Sequence, residues 1–392
     1  TERTTRHGLK VDSQLDRFID LCASQRIPIS SFHYGSGYSS RGKQRYVFTW
    51  NHDKFPDPKA INRKFQSHGM RLVANIKPCL LDDHPAYAEL ASQGAFIEHE
   101  DSRQPVVEPY WDGQGSHLDF TRAQAIQWWQ SQLKAQILQR GIDVGWNDNN
   151  EYAIQNEDAY SDAGGARLAM HRSRPLHSLL MTRATFEAQQ AHAADPSEAT
   201  FTVTRAGPPG LQRYAQTWSG DNTTSWASLK WNIRTGLQMS LSGMFNIGHD
   251  VGGFYGPIPD PELFLRWVQA CSLNPRMVMN SWKEGNVSNL PWMHPEVTPA
   301  VTQAIRLRYR LLPYMWQCFE AASQQHVPIV RPTFFNFPDD EACLQDCDDF
   351  MLGDALLVAP VVEQGATRRR VYLPRLAPGE DWFDFHTRQP FA

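Results

Sequence analysis

Asp143-Val144-Gly145-Trp146-Asn147-Asp148-Asn149-Asn150-Glu151-Tyr152 is the stretch whose reading decides the fold. Upstream of it, Ile126, Trp129, Leu133 and Ile137 recur at spacings of 3, 4 and 4, which predicts a helix with one apolar face. Gly141 predicts its stop, because glycine takes the left-handed conformation that ends many helices. The alternation of Ile142, Val144 and Trp146 then predicts a short buried strand. Asp148 accordingly emerges at the carboxyl end of a parallel strand, where barrel enzymes carry their chemistry. The competing reading is a strand that simply runs into a polar Asn/Asp turn. A calcium loop of the EF-hand type fails, because Ala153 stands at its glycine position and Ala159 at its terminal glutamate.

The same rhythm extends outward in both directions. Leu15, Phe18, Ile19 and Cys22 form a helical face ahead of residues 29–34, which read as a strand. Residues 59–69 read as helix and Arg71–Ile76 as a strand ending at Lys77-Pro78; residues 80–118 form a long insertion. Beyond the central stretch, residues 165–193 read as helix and residues 200–204 as a strand that runs into the loop Arg205–Gly210. A helix with Trp226, Leu229, Ile233 and Leu237 on one face follows, then Met244–Ile247 as a strand ending at Gly248-His249-Asp250. Alternating helices and strands with loops at the strand ends indicate a parallel α/β fold, and closure into a barrel is the form we favour. No repeat of 20–50 residues is present. Past residue 340 the texture changes: Phe350–Val361 and Arg370–Pro374 are strand-like runs without helical period. We divide the chain into a barrel, residues 1–340, and the start of a small carboxyl-terminal β domain, residues 341–392.

Composition narrows the function. The chain has 392 residues, 41% of them apolar, which suits one barrel with a small appendage. Thirteen Trp residues are many for this length, and flat indole faces suit sugar rings as well as cores. A net charge of −4 without a long basic run argues against a nucleic-acid partner. No apolar run approaches the roughly 18 residues that span a bilayer. The six Cys residues, at 22, 79, 271, 318, 343 and 347, are scattered and read as free thiols, which favours a reducing compartment such as the cytoplasm. The chain opens on polar Thr1-Glu2-Arg3, so it reads as an excerpt whose lack of a targeting signal is no evidence of location. The sequence sets no oligomeric state.

A second acidic stretch joins the first. In Trp218-Ser219-Gly220-Asp221-Asn222-Thr223-Thr224-Ser225-Trp226, Asp221 either caps the following helix or presents a carboxyl group at another strand exit. Retaining glycosidases need two carboxyl groups about 5–5.5 Å apart, one to attack the anomeric carbon and one to protonate the leaving oxygen. Asp148 and Asp221 come from neighbouring parallel units, so both reach one pocket in this reading.

Residues 146–151 resemble the Trp-x-Asp-Met-Asn-Glu nucleophile motif of glycoside hydrolase family 31, with Asn149 in place of Met. Thr204-Arg205, Gln212-Arg213-Tyr214, Trp218–Asn222, Gly248–Phe254, Arg266–Gln269, Phe350–Gly353, Val371–Pro374 and Trp382–Phe385 stand in that family's order and spacing. The resemblance implies a (β/α)8 TIM barrel whose first strand precedes Thr1, followed by a truncated β-sandwich. It also implies α-glycoside substrates, retention of configuration, no cofactor and no metal. By the same resemblance Asp148 is the nucleophile, Asp221 the general acid/base, and Arg205 and Asp250 hold the cleaved sugar. Lys77 lies within reach of a sugar hydroxyl, and Tyr34, Trp146, Trp218 and Trp282 join the candidate substrate-binding set, with Trp292 a further platform. His171 and His177 have no acidic partner at metal spacing and read as structural.

Two departures bear on the sugar. Where α-glucosidases of the family carry an Asp that grips the equatorial 4-hydroxyl of glucose, this chain has Gly35; where they carry a His, it has Asn280. The pattern resembles the branch acting on α-galacto-configured sugars, α-N-acetylgalactosaminides above all. An α-galactosidase or α-glucosidase of the same family is the nearest alternative. A non-catalytic carbohydrate-binding relative is the alternative of another class, and a metal-dependent hydrolase finds no ligand cluster.

Overall fold

The computed structural model describes residues 11–195, 200–283, 285 and 287–391. It contains two compact units, Thr1–Trp218 and Ser219–Ala392.

In the first unit five strands lie parallel in chain order: β1 (Ser31–Tyr34), β2 (Arg71–Ile76), β3 (Val144–Asn147), β4 (Thr202–Thr204) and β5 (Ala215–Trp218). Helix α1 (Val11–Ser24) precedes β1; α2 (Pro58–Ser67), α3 (Ala123–Gln132) and α4 (Met170–His192) lie in turn between β1 and β4, and the 3-10 turn Leu211–Arg213 lies between β4 and β5. Each helix starts or stops for a local reason. Asp57 caps α2 by accepting from the Ala60 N–H, and Pro58 fills the first helical position, where no N–H is needed. The chain leaves α3 through a π-helical turn, Leu133–Ile137, and a 3-10 turn, Leu138–Arg140, and Gly141 ends it at φ +84°. Gly145 lets α4 close on β3, since a Cβ there would lie 2.7 Å from Thr185 Cγ2.

The core of this unit is built on Val73, Val144, Trp146, Val203 and Trp218. Burying each contributes about 1.5–3 kcal/mol. The register has the larger functional consequence. Ile76 pairs with Asn147, and Asn147 with Thr204, so the three strand ends stand in one row. The next residues along the three strands are Lys77, Asp148 and Arg205, which therefore leave the sheet side by side.

The insertion is structured. Cys79–Leu81, Gly113–His117 and Glu108–Tyr110 form an antiparallel sheet in that spatial order. Tyr110 pairs with Gly113, so Trp111 and Asp112 are the two-residue tip of a hairpin. The segment expected to be helical from residue 165 becomes so only at Met170, because Leu168–Ala169 pairs with Tyr160–Ser161 first.

In the second unit β6 (Ile247–Asp250) and β7 (Arg276–Val278) are parallel and accompanied by α5 (Trp226–Leu241), α6 (Pro261–Cys271) and α7 (Thr298–Gln325). The strand expected at Met244–Ile247 lies three residues later and runs through Gly248-His249-Asp250, because Gly248 pairs with Arg276. Contact there is so close that a Cβ on Gly248 would stand 2.1 Å from the Arg276 carbonyl oxygen. Three antiparallel strands, β8 (Val330–Pro332), β9 (Phe350–Leu352) and β10 (Leu356–Val358), follow. Arg370–Pro374 forms no strand, contrary to its apolar alternation. Tyr372 is turned instead toward Asp340, whose carboxylate accepts its hydroxyl at 2.9 Å.

Candidate active site

In the first unit Asp148 is the centre of a polar cluster. It follows β3 directly, its N–H donates to the Ile76 carbonyl at 3.0 Å, and only 9% of its surface is exposed. Oδ2 accepts from Asn75 Nδ2 at 2.9 Å and from Lys77 Nζ at 2.8 Å. Oδ1 accepts from Arg205 Nη1 at 3.4 Å. Burial alone would raise the carboxyl pKa. The Lys77 charge, the hydrogen bonds from Asn75 and Lys77, and the Arg205 guanidinium outweigh it and hold the group at about 2. Asp148 is thus a buried carboxylate that stays ionised throughout the neutral range.

The loop that carries it is fixed at both ends. Asn149 and Tyr152 adopt φ +48° and φ +55°, a left-handed conformation that Asn tolerates and Tyr seldom takes. Lys77 Nζ donates to Asn149 Oδ1, and the Tyr152 hydroxyl donates to the Leu118 carbonyl at 2.8 Å. Between them Asn150 is fully buried and clamps the neighbouring strand exit. Its Oδ1 accepts the Ala206 N–H at 3.0 Å and its Nδ2 donates to Thr204 Oγ1 at 3.0 Å. Arg205 is held further by its N–H, which donates to the Asn147 carbonyl at 2.9 Å, and by Nε against Glu151 at 2.6 Å. His177 is buried and stacks on Tyr152 at 4.8 Å between ring centroids, a supporting role that matches its structural reading. Burial pushes its pKa down to about 4 against the opposing pull of Asp119.

The other expected residues of this unit divide. Trp146 and Trp218 are core residues, 5% and 3% exposed, in edge-to-face contact at 5.7 Å. They wall the sheet and offer no open ring face to a sugar. Tyr34 is fully buried, and its hydroxyl donates to Asn62 Oδ1 at 2.9 Å among Phe32, Phe55 and Phe65. It is therefore spent on the core. Gly35 precedes a 3-10 turn at φ −67°, and a Cβ built on it meets nothing within 4 Å. The missing side chain leaves open space.

Sequence reading missed three residues here. A cleft of about 370 Å³, counting space open to solvent, is lined by Ser36, Asn75, Lys77 and, from elsewhere, Arg45, Trp111 and Asp112. Arg45 pairs with Asp112 at 2.5 Å, and its guanidinium lies 4.2 Å from the Trp111 ring centroid; Lys77 Nζ lies 4.8 Å from the same ring. Little in the sequence signals these three: Trp111 and Asp112 stand between Glu108–Tyr110 and Gly113–His117, runs whose Pro and Gly content is unlike a strand, and Arg45 is remote from both.

In the second unit Asp221 is exposed on the loop that follows Gly220, which has φ +80°. The capping alternative is excluded, because Ser225 Oγ caps α5 by accepting the Ser228 N–H at 3.0 Å. Asp250 ends β6 fully buried and accepts from Asn280 Nδ2 at 3.2 Å. Trp282 is 47% exposed, and its backbone N–H donates to the Phe254 carbonyl at 2.7 Å. His249 is buried beside Ser219, with Nδ1 and Oγ 2.8 Å apart. Burial and then the Arg276 charge lower its pKa to about 3, leaving a neutral ring. Among the described residues no cluster of His, Cys, Asp or Glu is arranged to hold a metal ion. No described helix is long and apolar enough to cross a membrane. All six cysteines are free, and Cys347 alone is exposed.

Comparison with known proteins places the chain in a family. The chain is 33% identical over 359 residues to neutral alpha-glucosidase C of Homo sapiens, covering 88% of this chain and 38% of that protein. It is 28% identical over 396 residues to alpha-glucosidase 2 of Bacillus thermoamyloliquefaciens, covering 98% and 48%. The Tris-bound glucosidase II alpha subunit superposes with a TM-score of 0.88 at 26% identity, over 97% of this chain and 41% of that one. The chain thus spans less than half the length of these relatives. These relatives are named as α-glucosidases, which gives no support to the expected galactosaminidase branch. Residues 3–318 match the glycosyl hydrolases family 31 TIM-barrel domain and residues 326–392 the glycosyl hydrolase family 31 C-terminal domain; the chain belongs to glycoside hydrolase family 31.

Proposed function

We propose that this chain carries the catalytic part of a retaining α-glycoside hydrolase, with Asp148 as nucleophile and Asp221 as general acid/base. The observation behind the reading is the state of Asp148, a buried carboxylate kept ionised by Lys77, Asn75 and Arg205. An attacking group needs that charge at neutral pH, and its place at a strand exit beside Lys77 and Arg205 suits the role. In the first step an Asp148 oxygen forms a bond to the anomeric carbon while the glycosidic bond breaks, and the leaving oxygen takes the Asp221 proton. In the second step Asp221 removes a proton from water, which attacks the same carbon and releases Asp148. Arg205, Lys77 and Asp250 hold the sugar, Asn280 orients Asp250, and Trp282 offers a stacking face. The barrel occupies residues 1–340 and the carboxyl-terminal domain residues 341–392 in this proposal. The partner is a carbohydrate or glycoconjugate. Asp148→Asn tests the mechanism: turnover collapses, and azide restores part of it with a product of inverted configuration. Near-normal turnover refutes the assignment.

α-Glucosides are the substrate class we favour, on the names of the relatives. A second reading keeps α-galacto-configured sugars, N-acetylgalactosaminides included, because Gly35 leaves open space and Asn280 meets Asp250 where the resemblance expects Asp and His. A panel of 4-nitrophenyl α-glycosides separates the two. An α-glucoside cleaved at least about tenfold less well than both galacto-configured substrates supports the second reading, and the reverse order ends it.

A further inference from the structure

We propose that Lys283 is a positioning residue that sets the Asp221 loop for proton transfer, an inference that rests on the acid/base reading of Asp221. Proton transfer demands a carboxyl group held within hydrogen-bond reach of the leaving oxygen, yet Asp221 stands exposed on a loop outside any helix or strand. What holds that loop is a seam with the turn after β6. The Asn222 carbonyl accepts from the N–H groups of Phe254 at 2.7 Å and Tyr255 at 3.2 Å, and the Thr224 N–H donates to the Tyr255 carbonyl at 3.0 Å. Thr224 Oγ1 donates to the Gly252 carbonyl at 2.8 Å. Gly253, at φ +77°, permits this approach, since a Cβ there would lie 2.6 Å from Thr224 Oγ1.

Lys283 lies at the centre of the seam and is 2% exposed. Its ammonium donates to Thr224 Oγ1, to the Tyr255 carbonyl at 3.1 Å and to the Gly252 carbonyl at 3.4 Å. One cation therefore grips the Asp221 loop on one side and the turn following Asp250 on the other. Burying an ammonium is costly, and a residue serving only to fill space would be apolar. The three acceptors give the charge a use: they tie the proton donor's loop to the backbone beyond a fully buried sheet-end carboxylate.

The test compares leaving groups. Lys283→Met keeps the length of the side chain and removes its donors. The protein is assayed on a 2,4-dinitrophenyl α-glycoside, which departs without protonation, and on the matching disaccharide, which does not. We expect kcat/KM for the disaccharide to fall at least about tenfold further than for the aryl glycoside. Thr224→Val, which removes one acceptor and leaves the lysine in place, shows the same asymmetry in milder form and serves if Lys283→Met fails to fold. Equal losses on both substrates, in whichever variants fold, overturn the proposal. Asp221→Ala is run alongside. If it shows no asymmetry, the acid/base reading itself falls; if it shows the asymmetry and the seam variants do not, only the role of Lys283 is refuted.

Discussion

Replacing Lys77 by Met removes the cation that lies 2.8 Å from Asp148 Oδ2 while preserving an unbranched side chain of similar length. In the native protein the Asp148 carboxyl titrates at about 2 against an ordinary 3.8. That depression corresponds to about 2 kcal/mol of folding stability. For a depressed carboxyl pKa the contribution is present above the unfolded value of about 4 and is lost as the pH falls through about 2. In Lys77→Met the balance reverses. Burial, already the largest influence on Asp148, is opposed only by Asn75 and by Arg205 at 3.4 Å. The carboxyl pKa then rises above its ordinary value, and the acidic limb of kcat/KM, below about pH 3 in the native enzyme, moves to between about pH 4 and 6. At pH 7 the variant loses about 3–5 kcal/mol, the cost of stranding a buried charge. That deficit shrinks on acidification, because protonation now relieves the strain. Urea unfolding at pH 7 and pH 4.5, together with the pH–rate profile on a 4-nitrophenyl glycoside, reads both effects. An unmoved acidic limb with a pH-independent deficit would show that Lys77 does not control the charge on Asp148.

Three further outcomes follow from other parts of the molecule. Asp221→Ala lowers kcat/KM about 10²–10⁴-fold on substrates with poor leaving groups, far less on activated aryl glycosides, and flattens the basic limb; equal losses across a leaving-group series would make Asp221 structural. Gly35→Asp is free of backbone strain and its Cβ meets nothing within 4 Å, and the change shifts the preference between α-glucoside and α-galactoside toward the α-glucoside by about tenfold, or about 1.4 kcal/mol; an unchanged ratio of kcat/KM values refutes a specificity role for the position. Gly248→Ala destabilises by at least about 1–3 kcal/mol, since its Cβ meets the backbone of β7 rather than a movable side chain; an unchanged urea midpoint would contradict the strand contact.

The strand exits after Ile76, Asn147 and Thr204 were legible in the sequence because each combines two strong local signals, a β-branched or apolar run and an abrupt polar stop, whereas Ala215–Trp218 carries no such run. Arg71–Ile76 was read to the residue, and Gly141 ends its helix in the left-handed conformation expected of it. The strand at Ile247–Asp250 was misplaced because Met244 and Phe245 are more apolar than Gly248 and His249, whereas the ladder is decided by how closely the backbone can approach Arg276. Val371 and Tyr372 alternate like a strand, but Tyr372 finds its partner in the side chain of Asp340. Chemistry carried by long-range contacts was invisible. Nothing near Lys283 in sequence announces that Thr224 and Tyr255 converge on it, and nothing near Arg45 announces Trp111. Tyr34 stands beside Gly35 in sequence, but its hydroxyl is claimed by Asn62, a contact nothing nearby in the sequence announces.

The open space at Gly35 bears on how far a substitution spreads. The backbone at this position, at φ −67°, lies in a region that any residue adopts. A side chain added at this position starts into open space, so a change of residue here need not be preceded by a repair of the fold. The carboxylate at Asp148, by contrast, is bound up with Asn75, Lys77, Asn149, Asn150 and Arg205, and none of these can drift alone. The two positions thus differ in how far one substitution propagates: a change at Gly35 stays local, while a change at Asp148 reaches these five residues.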